Sequence, residues 1–184
     1  MSKKTRKNIL IGVCGGIAAY KTCFFIRLLL KKKYSVKVIM TEAATKFVTP
    51  LTFSALTQNK VHLDMFEEVK DEPVKHICLA QWASLCLIAP CSANTLSKIA
   101  LGICDNLLTT VVCALPKETK VYLAPAMNDC MWSNPLIQDN INKLEKIKKY
   151  KIINPLKGEL ACGSYGQGRM AEPEEIFKKI TSGF

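Results

Sequence analysis

The stretch Asn-Ile-Leu-Ile-Gly-Val-Cys-Gly-Gly-Ile-Ala-Ala-Tyr-Lys, residues 8–21, decides the fold of this chain. Asn8–Val13 is short and apolar, as expected of a buried strand. Gly12, Gly15 and Gly16 then predict a tight turn. From Ile17 to Lys32 the apolar residues recur at helical spacing, and the final lysines suit a helix C-terminus. A strand, a glycine turn and a helix in this order predict the start of a βα unit.

Short apolar segments alternate with helical segments along the rest of the chain. Further strands are predicted over 35–40, 85–89, 121–124 and 152–154, and further helices over 93–115, 135–149 and 173–180. Gly102 should break or bend the 93–115 helix. The stretches 41–46 and 50–56 are helical or looped, 61–74 has no firm period, and 156–170 is predicted to be a glycine-rich loop. This alternation is typical of an α/β fold with helices on both faces of a parallel sheet.

Composition indicates an ordinary globular protein. The chain has 184 residues, 49% of them hydrophobic and 22% charged, which suits one domain spanning residues 1–184. Lys3–Lys7 and the apolar run after it resemble a signal peptide, but glycines break that run, and Lys21 and Arg27 place charges in the segment beyond it. No stretch is long and uncharged enough to span a membrane, so we expect a soluble cytoplasmic protein without a membrane partner.

Charge and cysteine content exclude several classes of function. The net charge is +11, but the lysines are dispersed and aromatic residues do not interleave with them, so we expect no nucleic-acid partner. A solvated basic surface and the attraction of phosphorylated small molecules both remain open. The nine cysteines contain no C-x-x-C pair, which predicts reduced and mostly buried thiols without a metal site. Only Cys162, in a glycine-rich segment, should be exposed and reactive.

Polar residues follow several predicted strands, where ligands bind in parallel sheets. The Gly12–Gly16 turn could hold a phosphate on backbone N–H groups, or be no more than a tight turn. Ser92, Asn94 and Thr95 could hold a polar ring edge or phosphate, or simply cap a helix. Asn128 lies in the apolar loop Pro125–Trp132, where it could orient a flat ligand or cap a helix beside a core Trp. Met127, Met131 and Trp132 are interpreted as the wall of a substrate or subunit-interface cleft.

Two further segments carry groups suited to chemistry. His76 precedes an apolar run and is either structural or, if it faces a cleft, suited to proton transfer or carboxylate binding. Cys162 is followed by three glycines and Arg169, which predicts a mobile flap that carries a thiol and a cation.

Six segments in this order and spacing resemble the flavin-dependent cysteine decarboxylases, a homo-oligomeric family. They are GGIAAYK (15–21), HICLAQWA (76–83), APCSANTL (89–96), GICDNLLT (102–109), PAMNDCMW (125–132) and ACGSYGQGRMAEP (161–173). The resemblance covers nearly the whole chain, from Ile9 to about Ile180. It implies a Rossmann-like or flavodoxin-like fold, FMN as cofactor, and a homotrimer or a dodecamer of trimers with the flavin at a subunit interface.

The resemblance also implies residue roles. His76 is the expected active-site histidine, Asn128 the amide that holds the substrate carboxylate, and Cys162 the thiol that protonates an enethiol intermediate. The positions expected to hold the flavin are Gly15, Gly16, Thr41, Ser92, Asn94, Asp105 and Asn106. Those expected to bind substrate are Asn128, Met131, Ala161, Cys162, Arg169 and Met170. Cys14, Ser84, Cys91 and Ser164 depart from the residues usual in the family.

The implied activity is that of an FMN-dependent carboxy-lyase of coenzyme A biosynthesis. It would convert 4′-phospho-N-pantothenoylcysteine into 4′-phosphopantetheine through thioaldehyde and enethiol intermediates. A separate phosphopantothenoylcysteine synthetase would act in the same pathway. The alternatives are a decarboxylase of peptides that end in cysteine, a non-catalytic regulatory flavoprotein, and a flavin prenyltransferase, which the His76, Asn128 and Cys162 combination does not suit.

Overall fold

A six-stranded parallel sheet forms the centre of the computed structural model, which describes residues 7–66 and 74–182. Most of the basic segment 3–7 and part of the 61–74 stretch lie outside the described residues. The strands run in the order β3-β2-β1-β4-β5-β6, and all neighbours pair in parallel. Their bounds are β1 Asn8–Val13, β2 Ser35–Met40, β3 Val61–His62, β4 Leu85–Cys91, β5 Lys120–Pro125 and β6 Tyr150–Ile152.

Helices cover both faces of the sheet. Their bounds are α1 Ala19–Lys31, α2 Glu42–Thr45, α3 Pro50–Thr57, α4 Lys75–Trp82, α5 Ala93–Leu101, α6 Leu107–Ala114, α7 Asp129–Trp132, α8 Pro135–Glu145 and α9 Pro173–Thr181. Alternation along β1 divides the core, because successive strand residues point to opposite faces. Ile9 and Ile11 pack in one cluster with α1, α3 and α9. Leu10 packs in the other cluster with α4, α5, α6 and α8.

The strand order sets the position of the site. It is the doubly wound order of Rossmann-like sheets, so the predicted α/β fold class is confirmed. The order reverses between the neighbouring strands β1 and β4, and ligands in such sheets bind at this switch point, beyond the carboxyl ends of the strands. The turn after β1 carries Gly15, and the turn after β4 carries Ser92.

Most predicted elements are confirmed, with shifted ends. Gly102 ends α5 with a φ of +71°, which glycine adopts without strain, and so separates α5 from α6 as predicted. The last strand of the sheet lies at 150–152 rather than 152–154, and α8 ends at Glu145 rather than at 149. The two-residue strand β3 was not predicted, because the charged 61–74 stretch has no clear period; helix α4, which begins directly after that stretch, was not predicted either.

The prediction of an irregular loop over 156–170 is wrong. This segment is an antiparallel hairpin of β7 Leu156–Glu159 and β8 Tyr165–Arg169, with Cys162 in the connecting turn. Glycine is rare in strands and carries no side chain, so the alternation of apolar and polar residues that predicts a strand is not visible in this segment. The hairpin docks on the loop after β5, since Met127 N donates to Gly168 O at 3.1 Å.

Cysteine exposure also differs from the prediction. All nine thiols are free; Cys14, Cys86 and Cys91 are buried, and burial raises the pKa of Cys86 to about 12. Cys162 is exposed as expected, but Cys104, Cys113 and Cys130 are exposed too. Over the described ranges 7–66 and 74–182, no helix is long and apolar enough to cross a bilayer, and no cluster of His, Cys, Asp or Glu has the arrangement of a metal site.

Candidate functional site

Two cavities flank the β1–β4 switch point, and Gly15 and Ser92 line both. The first cavity has a volume of about 590 Å³ and lies between the start of α1, the loop after β5 and the β7–β8 hairpin. The second has a volume of about 850 Å³ and lies among the loops that follow β2, β4 and α5. The structure therefore divides the predicted site into two adjoining compartments.

The first cavity gathers the residues predicted to bind substrate. All six line it: Asn128, Met131, Ala161, Cys162, Arg169 and Met170. Met127 also lines this cavity, as interpreted from the sequence, whereas Trp132 packs against the hydrophobic cluster on its face of the sheet. Trp132 therefore does not line this cavity, and its place at a subunit interface stays a prediction.

Asn128 and Cys162 meet in this cavity although they are 34 residues apart in sequence. Asn128 Nδ2 donates to Cys162 Sγ at 3.2 Å, and Asn128 Oδ1 accepts from Cys130 N at 2.9 Å, which caps α7. Asn128 therefore serves as the helix cap and also faces the cavity. Hydrogen bonds from Ser164, and then from Asn128, hold the pKa of the exposed Cys162 thiol below its usual value.

A charged network links the hairpin to α1 and α9. Glu172 Oε1 accepts from Lys21 Nζ at 2.7 Å and from Arg169 Nη2 at 3.2 Å. Lys21 and Arg169 line the first cavity, whereas Glu172 lies behind them at the start of α9. Both cations lower the pKa of Glu172, mainly through the Lys21 hydrogen bond. Lys21 closes the GGIAAYK segment, but no role in the site was predicted for it.

The second cavity gathers most of the residues predicted to hold a flavin. Six of the seven line it: Gly15, Thr41, Ser92, Asn94, Asp105 and Asn106. The seventh, Gly16, lines the first cavity instead. Pattern reasoning missed Lys98, which also lines the second cavity and pairs with Asp105 at 2.6 Å; its hydrogen bond lowers the pKa of that carboxyl group.

Three side chains of the second cavity cap helices. Thr41 accepts from Ala44 N, Ser92 from Thr95 N and Asn106 from Thr109 N, at the starts of α2, α5 and α6. The helix-cap interpretation of Ser92 is therefore confirmed. Two of these caps also bring the starts of the longer helices α5 and α6, with their partial positive charge, to the edge of one cavity, an arrangement that favours an anionic group such as a phosphate.

The glycine turn after β1 leaves room at the boundary between the cavities. A Cβ atom on Gly15 would lie 2.6 Å from Ala43 Cβ, so the turn packs directly on α2. A Cβ atom on Gly16 would meet nothing within 4 Å. The backbone at Gly16 is thus open to a ligand. The absence of a side chain at Gly15 lets the turn pack closely against Ala43, and this contact holds the turn in place.

His76 lies apart from these residues within one chain. It is half-buried in the first turn of α4 and lines neither cavity. The structure therefore brings together Asn128 and Cys162 but not His76.

Comparisons with known proteins agree with this architecture. The model of the family described as Flavoprotein matches residues 1–184. The "Coenzyme A biosynthesis bifunctional protein CoaBC" of Borreliella burgdorferi is 48% identical over 178 residues, 97% of this chain and 45% of that protein. The chain thus spans less than half the length of this relative. The "Probable phosphopantothenoylcysteine decarboxylase" of Streptococcus mutans is 45% identical over 95% of this chain and 97% of its own length.

Solved structures give the same result. A PPC decarboxylase variant complexed with pantothenoylaminoethenethiol has a TM-score of 0.84 and 34% identity, over 96% of this chain and 97% of that one. The FMN binding protein AtHal3 has a TM-score of 0.82 and 35% identity, over 97% of each chain. This chain therefore belongs to the flavoprotein family, in the group that contains the phosphopantothenoylcysteine decarboxylases.

Proposed function

We propose that this chain is an FMN-dependent carboxy-lyase that converts 4′-phospho-N-pantothenoylcysteine into 4′-phosphopantetheine in coenzyme A biosynthesis. The observation that carries the proposal is the 3.2 Å contact between Asn128 Nδ2 and Cys162 Sγ in a cavity that adjoins a second, helix-capped cavity. The names of the relatives that match more than nine tenths of the chain support this activity. In this proposal, residues 1–184 form a single flavoprotein domain.

The second cavity has the groups that FMN requires. Thr41, Ser92, Asn94 and Asn106 offer hydroxyl and amide groups to the ring and phosphate, with Asp105 beside them, and the open backbone at Gly16 borders the first cavity. When bound, FMN would supply the two-electron oxidation of the substrate's cysteine side chain and the later return of those electrons. The protein's own residues then have the tasks of orientation and proton placement.

Asn128 would hold the substrate carboxylate. Its amide nitrogen has two N–H groups, and one of them donates to Cys162, which leaves the other for the substrate. An amide orients a carboxylate without a full positive charge. A cation in this place would stabilise the very charge that disappears as CO₂ leaves, and would raise the barrier.

Cys162 would act after the loss of CO₂. The thioaldehyde formed from the substrate cysteine can accept the electrons of the broken C–C bond, which gives an enethiolate, and protonation of its sulfur gives the enethiol. Cys162, held in the hairpin turn that covers the cavity, would give its proton to a carbon of this enethiol as the two electrons return from the cofactor, which would yield the thiol of the product. Arg169, Met131, Ala161 and Met170 would position the rest of the substrate around it.

His76 would act across a subunit boundary. In a homo-oligomer, a trimer or a dodecamer of trimers, His76 of one subunit could reach the flavin cavity of the next. The exposed apolar residues Ile17, Tyr20 and Phe24, on and next to one face of α1, are suited to burial in such an assembly.

A second candidate is a decarboxylase of peptides that end in cysteine. Lys21 and Arg169 on the wall of the first cavity favour a small, anionic substrate instead. We further propose that the protein works in the cytoplasm with a separate phosphopantothenoylcysteine synthetase.

The test is to assay the purified protein for bound FMN and for CO₂ release from 4′-phospho-N-pantothenoylcysteine, with a cysteine-ended peptide as competitor. Release from the peptide alone would overturn the substrate assignment. His76→Asn should keep the flavin and lose CO₂ release by about 100-fold or more. Mixed oligomers of His76→Asn and Cys162→Ser subunits should regain product formation if the two groups come from different subunits. Full activity of His76→Asn alone would contradict its role.

A further inference from the structure

The Ser164 hydroxyl group lies between the Cys162 thiol and the Asp129 carboxylate. Cys162 Sγ and Ser164 Oγ are 3.2 Å apart, and Ser164 Oγ donates to Asp129 Oδ1 at 3.2 Å. On the other side of the sulfur, Asn128 Nδ2 donates to Cys162 Sγ at 3.2 Å. The side chains of Asn128, Cys162, Ser164 and Asp129 therefore form a hydrogen-bonded line in this order. Its two middle members belong to the hairpin turn, and its two end members follow strand β5.

Packing fixes the carboxylate of Asp129 in this line. A Cβ atom on Gly166 would lie 2.5 Å from Asp129 Cβ and 2.7 Å from Asp129 Oδ2, so strand β8 crosses directly over this side chain. Asp129 is also the first residue of α7, whose cap is Asn128. The backbone of the hairpin and the cap thus hold the carboxylate against Ser164 from two sides.

The Ser164 hydroxyl group has a single hydrogen to share between two possible acceptors, the Asp129 carboxylate and the Cys162 sulfur. Ser164 has one hydroxyl hydrogen, and an ionised carboxylate can only accept. While Asp129 accepts that hydrogen, the oxygen of Ser164 has lone pairs that accept the S–H of Cys162. When Cys162 is a thiolate, its sulfur becomes a charged acceptor, and Ser164 can turn its hydrogen from Asp129 to the sulfur. The direction of the hydroxyl is therefore coupled to the protonation state of the thiol.

We propose that Ser164 and Asp129 are positioning residues that control the proton of Cys162. Ser164 stabilises the thiolate left after proton transfer, and Asp129 draws the hydroxyl away and so favours the protonated thiol. This inference rests on the function proposed above, in which Cys162 gives a proton to the enethiol. In that step the S–H bond of Cys162 breaks and its proton forms a C–H bond on the enethiol, while the hydride equivalent taken up earlier by FMN returns to the neighbouring carbon; the electron pair of the broken bond stays on the sulfur of Cys162. Solvent, which reaches the exposed Cys162, then returns the proton.

Other charged groups face the same cavity. They are Lys21 on α1, Glu159 on β7 and Arg169 on β8. All three are unchanged in the variants below, so a difference between variants reports on Ser164 and Asp129.

The test measures the alkylation rate of Cys162 with iodoacetamide across a pH series, on the full-length flavin-loaded protein, with each cysteine resolved by peptide mass. Ser164→Ala removes the donor to the thiolate, so we expect a higher thiol pKa and a rate at neutral pH about threefold lower. Asp129→Asn replaces the charged acceptor of the Ser164 hydrogen by a neutral and weaker amide oxygen, so the hydroxyl is freer to donate to the thiolate, and we expect a lower thiol pKa and a rate about threefold higher. The two substitutions therefore have opposite expected signs.

The double variant separates a coupled pair from two independent effects. In the Ser164→Ala background, Asp129→Asn should change the rate by less than about 1.5-fold, because the carboxylate acts through the hydroxyl. Cys104 and Cys113 are exposed internal controls in every sample. Ser133→Ala is the matched control variant, since Ser133 Oγ donates to the main-chain oxygen of Asp129 at 2.9 Å rather than to its carboxylate.

Two results would overturn the inference: both single variants shifting Cys162 in the same direction, or Asp129→Asn having the same effect with and without Ser164. The alkylation assay needs no turnover, so it decides this point even if the wild-type protein fails to release CO₂ from the proposed substrate. If it does turn over, the pH profile of product formation should move in the same directions as the alkylation profile.

Discussion

The two cavities share Gly15 and Ser92 but are built in different ways. The second cavity consists of strand and helix ends, and its main polar groups cap the helices that directly follow them. The first cavity is closed by a hairpin that packs on a loop about 40 residues earlier in the chain, through the Met127–Gly168 and Asn128–Cys162 contacts. Contacts between residues close in sequence thus build one ligand compartment, whereas docking of the distant hairpin builds the place where a thiol and an amide meet.

The largest expected effect is at the thiol of the docked hairpin. Cys162→Ser should reduce formation of 4′-phosphopantetheine by at least about 100-fold, because a serine hydroxyl is a far weaker acid. CO₂ release and bound flavin should persist, since both depend on the second cavity and Asn128. Cys130→Ser, which removes an exposed thiol that does not line the first cavity, is the control. Normal product formation by Cys162→Ser would show that the hairpin does not supply the proton.

The next effect should separate the two cavities. A Cβ atom on Gly168 would overlap the carbonyl oxygen of Met127, so Gly168→Ala should push the hairpin off the loop, at a cost of about 3 kcal/mol, the upper end for overpacking. Hydrogen exchange over 156–170 should accelerate and KM should rise, while the flavin content stays at the wild-type level. Loss of flavin together with hairpin order would mean that the two cavities form one cooperative unit.

Smaller effects, on the free energy of unfolding and on flavin binding, are expected from substitutions in the glycine turn between the two cavities. Gly15→Ala should lower the free energy of unfolding by about 1–2 kcal/mol, since its Cβ would lie 2.6 Å from Ala43 Cβ and 2.9 Å from the Ala43 carbonyl carbon. Gly16→Ala should leave stability nearly unchanged but weaken flavin binding, because its Cβ would point into open space at the boundary. Denaturant unfolding and flavin titration distinguish the two. Equal destabilisation by both substitutions would contradict this difference between neighbours.

The smallest effect concerns the ion pairs behind the first cavity. Lys21 lowers the pKa of Glu172, so this group stabilises the fold above the pKa of an unfolded glutamate, about 4.3, and the contribution is lost as pH falls through the lower folded value. Glu172 is 44% exposed, so screening limits the contribution to below about 1 kcal/mol at pH 7. Glu172→Gln should therefore lower Tm at pH 7, and this difference should disappear once the pH has fallen below the lowered pKa of the folded state.

Glu175→Gln is the matched control on the same helix. It breaks the exposed Lys179–Glu175 pair at 3.0 Å, which touches neither cavity. Its effect on Tm should be smaller than that of Glu172→Gln, and KM should not change. A pH-independent loss of Tm in Glu172→Gln would point to packing instead of charge.

Sequence patterns predicted those parts of the molecule that are stabilised by contacts between residues close together in the chain. The apolar strands, the glycine turn, the break at Gly102 and the caps at Ser92 and Asn128 depend on residues a few positions apart. The flavin positions came from the family resemblance instead, and six of the seven line one cavity. The hairpin was missed, because four of its residues between 158 and 168 are glycines that carry no strand pattern, and its order comes from contacts with Met127 and Asp129.

The sequence by itself therefore determined the doubly wound sheet, the family resemblance and the chemical groups available at the strand ends. Only the tertiary structure decided that these groups form two compartments, that Ser164 joins Cys162 to Asp129, and that His76 lies apart from them. The physical reason is that strand and helix periods act over a few residues. Distances between side chains in segments far apart in sequence are set by how the hairpin, the loop after β5 and α1 pack together.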